Sequence, residues 1–368
     1  MTTAASPSGS RPLTFSVCIP NYNYERYLGQ TIDSVLAQTY PHFEIVVADN
    51  ASTDGSVAAV RGYDDPRIRL IENRYNIGFS PNLDRATESA TGDFLILLSS
   101  DDLMRPDALE TYARVLEGLG ERSEDAVLTS ALDVIDSAGE VTGVSWRPPG
   151  ELFYQELDPA AADRVPWDDL GVESHAGDIA LAATLRAKNT PAAFLATCYS
   201  RSLYQRVEGY HNPYRIWPDS HFLNKLLSAG AELHYVPRRL FAYRVHNHNQ
   251  LAQEAKAGAL TYQVDAYMHT VEFPGAVLER IGVERRELEQ VFIEKAVMER
   301  GLQALAAGNG SRGFRCLAFG FGTYPGLAFT EPKTWALAGL VLLGPVGKGL
   351  ARWLYRRRQE RRLRADAG

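Results

Sequence analysis

The sequence predicts an α/β fold with a mostly parallel central sheet. Over the first hundred residues, short apolar stretches alternate with segments of helical periodicity, which is typical of βαβ units. Three apolar stretches end in polar clusters, at residues 21–23, 49–54 and 99–102. Ligands bind at the carboxyl ends of the strands in such sheets. The repetition therefore indicates a binding site along one edge of the sheet.

Each predicted element has its own signal. Leu28, Ile32 and Val35 have helical spacing after the first apolar run, and the run DNASTDGS ends the second strand with turn formers. Gly230 is a typical helix stop. The predicted strands are 15–19, 43–48, 68–71, 94–98, 194–199 and a final pair within 232–246, and the helices are 27–38, 56–61, 83–90, 202–207, 219–229, 271–278 and 287–307. Residues 145–190 have no period and are expected to form a long excursion over the sheet.

Composition limits the class of protein. With 45% hydrophobic and 23% charged residues, the 368-residue chain is typical of a globular protein, and its net charge of −7 argues against nucleic acid as the main partner. The three cysteines are far apart in the sequence, and no CxxC or Cys/His spacing indicates a zinc site or a redox pair. Cys18 is expected to be a buried free thiol, which fits a reducing cytoplasm. Residues 1–13 are small and polar, so we expect a disordered lead-in and a cytoplasmic protein.

An acidic pair follows the buried strand that ends near residue 98. Asp101 and Asp102 could form a turn that caps the next helix. Two adjacent carboxylates at a sheet edge are also suited to Mg²⁺ or Mn²⁺. Such an ion would neutralise a departing diphosphate.

Two long motifs resemble the family-2 glycosyltransferases. They are SVCIPNYNYERYLGQTIDSVLAQTYPHFEIVVADNASTDGS and NRYNIGFSPNLDRATESATGDFLILLSSDDLMRPDAL. The resemblance implies a GT-A (Rossmann-like) fold, a nucleotide-sugar donor and a divalent cation. It covers residues 14–110 well and continues loosely to about 250. The expected domains are therefore a catalytic domain at 14–250, with a nucleotide-sugar half (14–110) and an acceptor half (111–250), a helical extension at 251–330 and a tail at 331–368.

The resemblance implies roles for residues at the predicted sheet edge. Pro20 and Tyr22 would lie against the nucleotide base, with Tyr22 stacking on it, and Asp49 would accept a hydrogen bond from the base. As alternatives, Tyr22 could be a surface aromatic residue that caps the sheet, and Asp49 a turn residue. Asp54 fits a turn role better and is left out of the site.

For the other end of the donor, the resemblance implies a further set of contacts. Asn82 would face the diphosphate or sugar. Asp101 would hold the ribose or a metal-bound water, and Asp102 would ligate the metal. Ser100 stands where many relatives have a further acid.

Asp219 matches the position of the family's catalytic acid by its distance to Gly230. The expected Glu before it is replaced by Pro218, after Trp217. If the match holds, Asp219 is the general base of an inverting transfer. The alternative is a simple N-cap of the following helix.

The stretch AYRVHNHNQ follows the last core strand. By resemblance, His246 would reach the metal or diphosphate, and Arg244 is a tentative diphosphate contact. His248 is one step out of register. The alternatives are solvated histidines and an Arg that balances a local acid.

The tail combines apolar and basic segments. Residues 335–347 form 13 uncharged residues, too few for a spanning helix, which needs about 20. Gly344–Pro345 is expected to break the segment. Seven arginines lie among the last 17 residues. We expect the segment to lie in the interface of an anionic membrane, peripheral at its inner face. The alternative is a last helix packed on the protein's own core.

The sequence thus predicts an inverting glycosyltransferase with a UDP- or dTDP-sugar donor. The acceptor would be a saccharide, a lipid-linked glycan or a small natural product, and self-association is left open. A catalytically silent sugar-nucleotide binder or membrane-docked scaffold is the main alternative. A sugar-phosphate nucleotidyltransferase is disfavoured because no glycine-rich loop follows the first strand.

Overall fold

The structure is a computed structural model that describes residues 11–210, 218–246 and 261–365, with the backbone alone for 261 and 358–365. Contacts divide these residues into two compact units. The first comprises residues 11–180, 190–210 and 218–246, and the second comprises 181–189 and 261–365. Residues 1–10 of the predicted lead-in, Trp217 and His248 lie outside the described residues. The domain boundaries given above stay a prediction.

The first unit contains the sheet. Its elements are β1 Phe15–Asn21, α1 Glu25–Leu36, β2 Phe43–Asp49, α2 Ser56–Arg61, β3 Ile68–Glu72, α3 Phe79–Glu88, β4 Phe94–Leu97, β5 Leu103–Met104, α4 Ala108–Leu119, β6 Ala126–Ile135, β7 Val141–Trp146, β8 Gln155–Leu157, α5 Pro159–Ala162, β9 Glu173–His175, α6 Gly177–Ala187 (which continues into the second unit), β10 Cys198–Ser200, α7 Arg201–Arg206, α8 Pro218–Ser228 and β11 Glu232–Arg244.

The sheet confirms the predicted α/β class, and its strand order is β3-β2-β1-β4-β10-β6-β11-β5. β3, β2, β1 and β4 are parallel, as predicted. Beyond β4 the sheet is mixed, because β10 runs antiparallel between β4 and β6. Apolar residues of β1, β2, β4, α1 and α4 form one core. The site-bearing half is therefore the parallel half.

Three predictions of secondary structure need correction, two in the first unit and one in the second. The predicted final pair of strands is a single strand, β11, with register shifts around Pro237 and Arg239. Proline lacks an amide donor, and a bulge accommodates it without a lost ladder bond. The predicted strand 194–199 begins as a 3₁₀ turn, Phe194–Ala196, and only Cys198–Ser200 is extended. The predicted helix 271–278 is interrupted, since one helix ends at Val271 and the next starts at Gly275, after Pro274.

The excursion at 145–190 is more regular than predicted, since β8, α5, β9 and the whole of α6 lie within it. Arg147 fixes part of it from a buried position. Its guanidinium lies over the ring of Tyr235, 4.7 Å from the centroid, and its Nη2 is 2.7 Å from Nε2 of His175. A tertiary contact therefore orders a segment whose sequence has no period.

The second unit is helical in its described part. Its further elements are α9 Thr261–Val271, α10 Gly275–Arg280, α11 Arg285–Phe292, a π-helix Ile293–Glu299, α12 Arg300–Ala306, α13 Gly310–Thr323, α14 Pro325–Thr330, α15 Pro332–Leu342 and α16 Gly344–Ala365. A separate core joins residues of these helices, including Phe292, Val297 and Leu337. The predicted break at Gly344 is confirmed, because α15 ends at Leu342 and Gly344 has φ +55°. None of the described helices is long and apolar enough to cross a membrane.

Candidate functional site

The polar clusters after the parallel strands meet at one sheet edge. Asn21 pairs in register with Asp49 at the ends of β1 and β2, and Asp49 pairs with Glu72 at the end of β3. The amide of Leu98 donates to the carbonyl of Cys18, which aligns the end of β4 with the same edge. The sheet therefore brings the three clusters together as predicted.

Asp49 is buried and well bonded at this edge. Its Oδ2 accepts from Nδ2 of Asn21 at 2.8 Å, and its Oδ1 accepts from the amide of Ser52 at 2.8 Å. Oδ1 of Asn21 is buried with no hydrogen-bond partner. The hydrogen bond from Ser52 is the contact expected if Asp49 is a turn residue. Beside Asp49, the side-chain amide oxygen of Asn21 is left unpaired.

Pro20 and Tyr22 differ in their exposure to solvent. Pro20 is buried within β1, whereas the side chain of Tyr22 is 43% exposed just beyond the strand. The loop that carries Tyr22 is fixed, since the amide of Asn23 donates to Oγ of Ser52 and the amide of Thr53 donates to Oδ1 of Asn23. A flat, exposed ring on a fixed loop is suited to stacking on a base.

Asp54 has the turn role expected for it. Its carboxylate accepts from the amide of Glu25 at 3.0 Å and from the amide of Ser56 at 3.0 Å. These bonds satisfy amides at the starts of α1 and α2. Asp54 is thus engaged in local structure.

Asn82 lies in a network of asparagine side chains that sequence reasoning missed. Its Nδ2 donates to the carbonyl of Ala48, and its Oδ1 accepts from Nδ2 of Asn73 at 2.8 Å. Nδ2 of Asn50 donates to Asn76 and Gly78. The network holds the 73–78 loop against β2. The buried amide of Asn82 is therefore engaged in structure, and its contact with the diphosphate or sugar stays a prediction.

The acidic pair lies beside His246. Oδ2 of Asp101 is 2.9 Å from Nε2 of His246, and Oδ1 of Asp102 accepts from the amide of Arg244 at 2.9 Å. Both carboxylates are buried. Oδ2 of Asp102 is also buried and has no hydrogen-bond partner. The predicted metal residues therefore share one location, next to the carboxyl end of β4.

Electrostatics distinguish the two carboxylates from ordinary surface acids. Burial raises the pKa of Asp102, and the adjacent charge of Asp101 raises it further. Burial also raises the pKa of Asp101, against the opposing effect of His246. Nearby, burial and then Asp101 and Asp102 raise the pKa of Tyr24. Two close buried carboxylates without a full set of partners form a site that a cation would stabilise.

Arg244 is engaged in contacts within the protein, and its tentative contact with the diphosphate stays a prediction. It is buried, and its Nε donates to the carbonyl of Asp101, its Nη1 to the carbonyl of Asp136 and its Nη2 to Oε1 of Gln30. Its guanidinium also lies 4.7 Å from the ring centroid of Tyr27. These contacts do not support a direct diphosphate contact. They make Arg244 a residue that holds the acidic pair in place.

Asp219 lies in the first turn of α8, one residue after its start, and lines a small cavity of about 20 Å³. Phe194, Thr197 and Tyr210 also line it. The volume suffices for one water or a hydroxyl group. Asp219 is thus inside the helix, and the N-cap alternative does not describe its position.

The cavity lies at the same sheet edge as the acidic pair. β10 runs antiparallel to β4, with Cys198 opposite Ile96 and Ser200 opposite Phe94. Residues that precede β10, such as Thr197, therefore lie beside the carboxyl end of β4. Asp219 lines the cavity together with Thr197, and Asp101 and Asp102 follow the same end of β4. The candidate base and the candidate metal residues therefore lie at the same edge of the sheet.

An aromatic cluster positions this part of α8. The ring of Tyr210 stacks on Phe222, with 3.9 Å between centroids. Oδ1 of Asp84 accepts from the amide of Tyr210 and from the hydroxyl of Tyr204, both at 2.6 Å. Sequence reasoning missed Asp84. Its only signal was an acid on the buried face of a helix.

Comparison with known proteins identifies the class. Residues 16–166 match the model "Glycosyl transferase family 2". The recognition made from the motifs is therefore confirmed for this part of the chain.

Named relatives agree with this assignment. The chain is 37% identical over 105 residues to "Putative glycosyltransferase EpsE" of Bacillus subtilis (28% of this chain, 38% of the relative). It is 37% identical over 95 residues to "UDP-Glc:alpha-D-GlcNAc-diphosphoundecaprenol beta-1,3-glucosyltransferase WfgD" of Escherichia coli (26% and 38%). The matches thus span less than half the length of these relatives.

Solved structures confirm the GT-A type of fold. TarS 1-349 of S. aureus in complex with UDP-GlcNAc matches with a TM-score of 0.60 at 15% identity, covering 94% of this chain and 92% of that one. The mannosyltransferase PcManGT from Pyrobaculum calidifontis, in complex with GDP-Man and Mn²⁺, matches with a TM-score of 0.50 at 19% identity, covering 95% and 89%. At these identities the likeness concerns the fold alone.

Proposed function

We propose that the protein is a metal-dependent, inverting glycosyltransferase that uses a nucleotide-diphosphate sugar. One observation carries the proposal: the buried acidic pair with its unpaired Oδ2 on Asp102 lies at the same sheet edge as the exposed ring of Tyr22 and the cavity at Asp219. A donor could therefore contact the ring of Tyr22 with its base and the acidic pair with its diphosphate, and its sugar would lie near Asp219.

The nucleotide end of the donor would contact Tyr22, Pro20 and Asp49. Stacking on an aromatic ring contributes about 1–3 kcal/mol per base. We propose a pyrimidine nucleotide, UDP or dTDP. TarS, which shares the fold, was solved in complex with UDP-GlcNAc, and this is consistent with a uridine donor.

Asp101, Asp102 and His246 fit a divalent cation. No three His, Cys, Asp or Glu side chains within the described ranges converge as a complete metal site. Mg²⁺ is commonly held by one or two carboxylates together with substrate phosphates, so an incomplete protein set is suitable. Mn²⁺ or Mg²⁺ bound there would neutralise the charge that develops on the diphosphate.

Asp219 would act as the general base. Its carboxylate would take the proton of the acceptor hydroxyl as that oxygen forms its bond to the anomeric carbon. The bond from that carbon to the diphosphate oxygen breaks in the same displacement, which inverts the configuration. The cavity beside Asp219 has room for the hydroxyl.

The acceptor and its location are part of the proposal. The name of the WfgD relative includes a diphosphoundecaprenol acceptor, which supports a lipid-linked acceptor here over a free saccharide or small natural product. We therefore propose a cytoplasmic protein that is peripheral at the inner face of a membrane, with residues 331–368 as the contact. Polysaccharide biosynthesis would be the setting.

The decisive experiment compares donor binding with turnover in Asp219→Asn. We expect donor affinity within about threefold of the wild type, and a turnover of donor to acceptor that falls by about 10²–10⁴-fold, the usual range for a lost general base. Asp158→Asn is a matched control, because Asp158 caps α5 and Asn caps equally well. Unchanged turnover in Asp219→Asn would reject the base assignment. A wild type that binds donor without turnover would instead indicate the silent binder.

A further inference from the structure

The last two helices form a hairpin whose inner face is used by the core of the second unit. Leu337, Leu340 and Ala351 are buried in that core. A Cβ at Gly347 would lie 1.9 Å from the carbonyl oxygen of Leu340, so α15 and α16 approach closely there. The inner face therefore agrees with the alternative given for the tail, a last helix packed on the protein's own core.

The outer face of the same hairpin is apolar and exposed. Trp335 and Leu342 are seven residues apart on α15 and so lie on one face. On α16 the exposed apolar residues have helical spacing and form a second stripe: Val346, Leu350, Trp353 and Leu354. At the turn, Leu342 is 87% exposed and Val346 is 71% exposed. Exposed apolar residues grouped in this way mark an interaction surface.

Basic residues continue the stripe of α16. Between Glu331 and Glu360 the sequence has no acidic residue, and it has six basic ones, three of them at 356–358. The guanidinium of Arg357 lies 4.4 Å from the ring centroid of Trp353. An apolar patch thus adjoins a positively charged patch.

We propose that this outer face of α15 and α16 docks on an anionic lipid surface. The inference rests on the membrane association within the proposed function and is independent of the transfer reaction. Apolar side chains at the turn would enter the headgroup boundary, and the arginines would contact anionic headgroups. A second copy is less suitable, because a two-fold contact over this face would bring both copies of the basic patch into one interface, and the segment between Glu331 and Glu360 has no acidic residue to pair with them.

Vesicle sedimentation tests the proposal on the full-length protein. The probes are vesicles of phosphatidylcholine alone and vesicles that also contain about 30% phosphatidylglycerol, whose anionic headgroups attract basic segments. We expect binding to the anionic vesicles that weakens with salt. Leu342→Glu should lower the partition coefficient about tenfold or more, since it removes an apolar anchor and adds a repelled charge. Arg356→Gln with Arg357→Gln should lower it about 25-fold, at about fivefold for each arginine.

Two controls distinguish binding through this surface from non-specific adsorption to vesicles. Ile179→Glu places the same charge on another exposed apolar residue, in the first unit, which is 64% exposed against 87% for Leu342, and this variant should bind vesicles like the wild type. Nucleotide binding, measured without vesicles, should be the same in all variants, so a failure here is distinct from a failure of the donor site.

Two results would overturn the inference. One is an absence of anionic vesicle binding by wild-type protein that binds nucleotide normally. The other is a concentration-dependent dimer in ultracentrifugation that Leu342→Glu dissociates, without vesicle binding. That outcome would make the face an interface between copies of the chain.

Discussion

Arg244 gives the sharpest test of the structure against the role inferred from sequence. The substitution Arg244→Met keeps most of the stem and removes the guanidinium. Three acceptors would lose their donor: the carbonyls of Asp101 and Asp136 and the side chain of Gln30. Only the carbonyl of Asp101 is buried, and a buried unpaired acceptor costs about 1–3 kcal/mol, whereas water can replace the lost donor at the half-buried Asp136 and the exposed Gln30. The contact with Tyr27 adds about 1 kcal/mol, so we expect a loss of about 2–4 kcal/mol in the free energy of unfolding.

Urea denaturation without nucleotide measures this loss. Arg244→Lys, which keeps one charged donor, should lose less and remain folded if the Met variant does not. Arg61→Met is the matched control, since Arg61 forms an exposed ion pair with Glu72 and should change stability by less than about 1 kcal/mol. A loss below about 1 kcal/mol for Arg244→Met, together with a weakened donor affinity, would refute this reasoning. It would restore the diphosphate role.

Three further predictions follow from single contacts. Tyr22→Ala should weaken nucleotide binding by about 1–3 kcal/mol in calorimetry, whereas Tyr22→Phe should retain most of it. Burial alone would raise the pKa of Glu44, but hydrogen bonds from hydroxyl and amide donors outweigh it and lower the pKa. The wild type should therefore exceed Glu44→Gln in urea stability above the unfolded-state pKa of about 4.3, and the difference should vanish as the pH falls through the lower folded-state pKa. Gly347→Ala should destabilise by more than about 2 kcal/mol in thermal unfolding, because its Cβ would collide with the backbone at Leu340, while Gly349→Ala, with open space, should be neutral or stabilising.

The parallel half of the sheet was predictable because each of its elements has a local signal. The apolar run at 15–19 and the helical spacing after it correspond to β1 and α1, and the helix at 56–61 has the observed bounds of α2. The regularity of residues 145–190 was not predictable. Its order depends on the buried Arg147 and its contacts with distant residues, which no local period encodes.

The candidate site was predictable to a similar extent. The motif residues Asp101, Asp102 and His246 meet in the structure, since strand ends on one edge bring them together. The supporting residues were missed, because Gln30 and Tyr27 reach Arg244 across more than two hundred positions. A glutamine and a tyrosine at these positions form no recognisable motif, so the sequence gives no signal of their contact with Arg244.

Calorimetric titration of UDP, dTDP and GDP, with and without Mn²⁺, tests the donor site itself. We predict metal-dependent binding of a pyrimidine nucleotide that is lost in Asp102→Ala. Folded protein that binds none of the three nucleotides in either condition would contradict the proposed transfer.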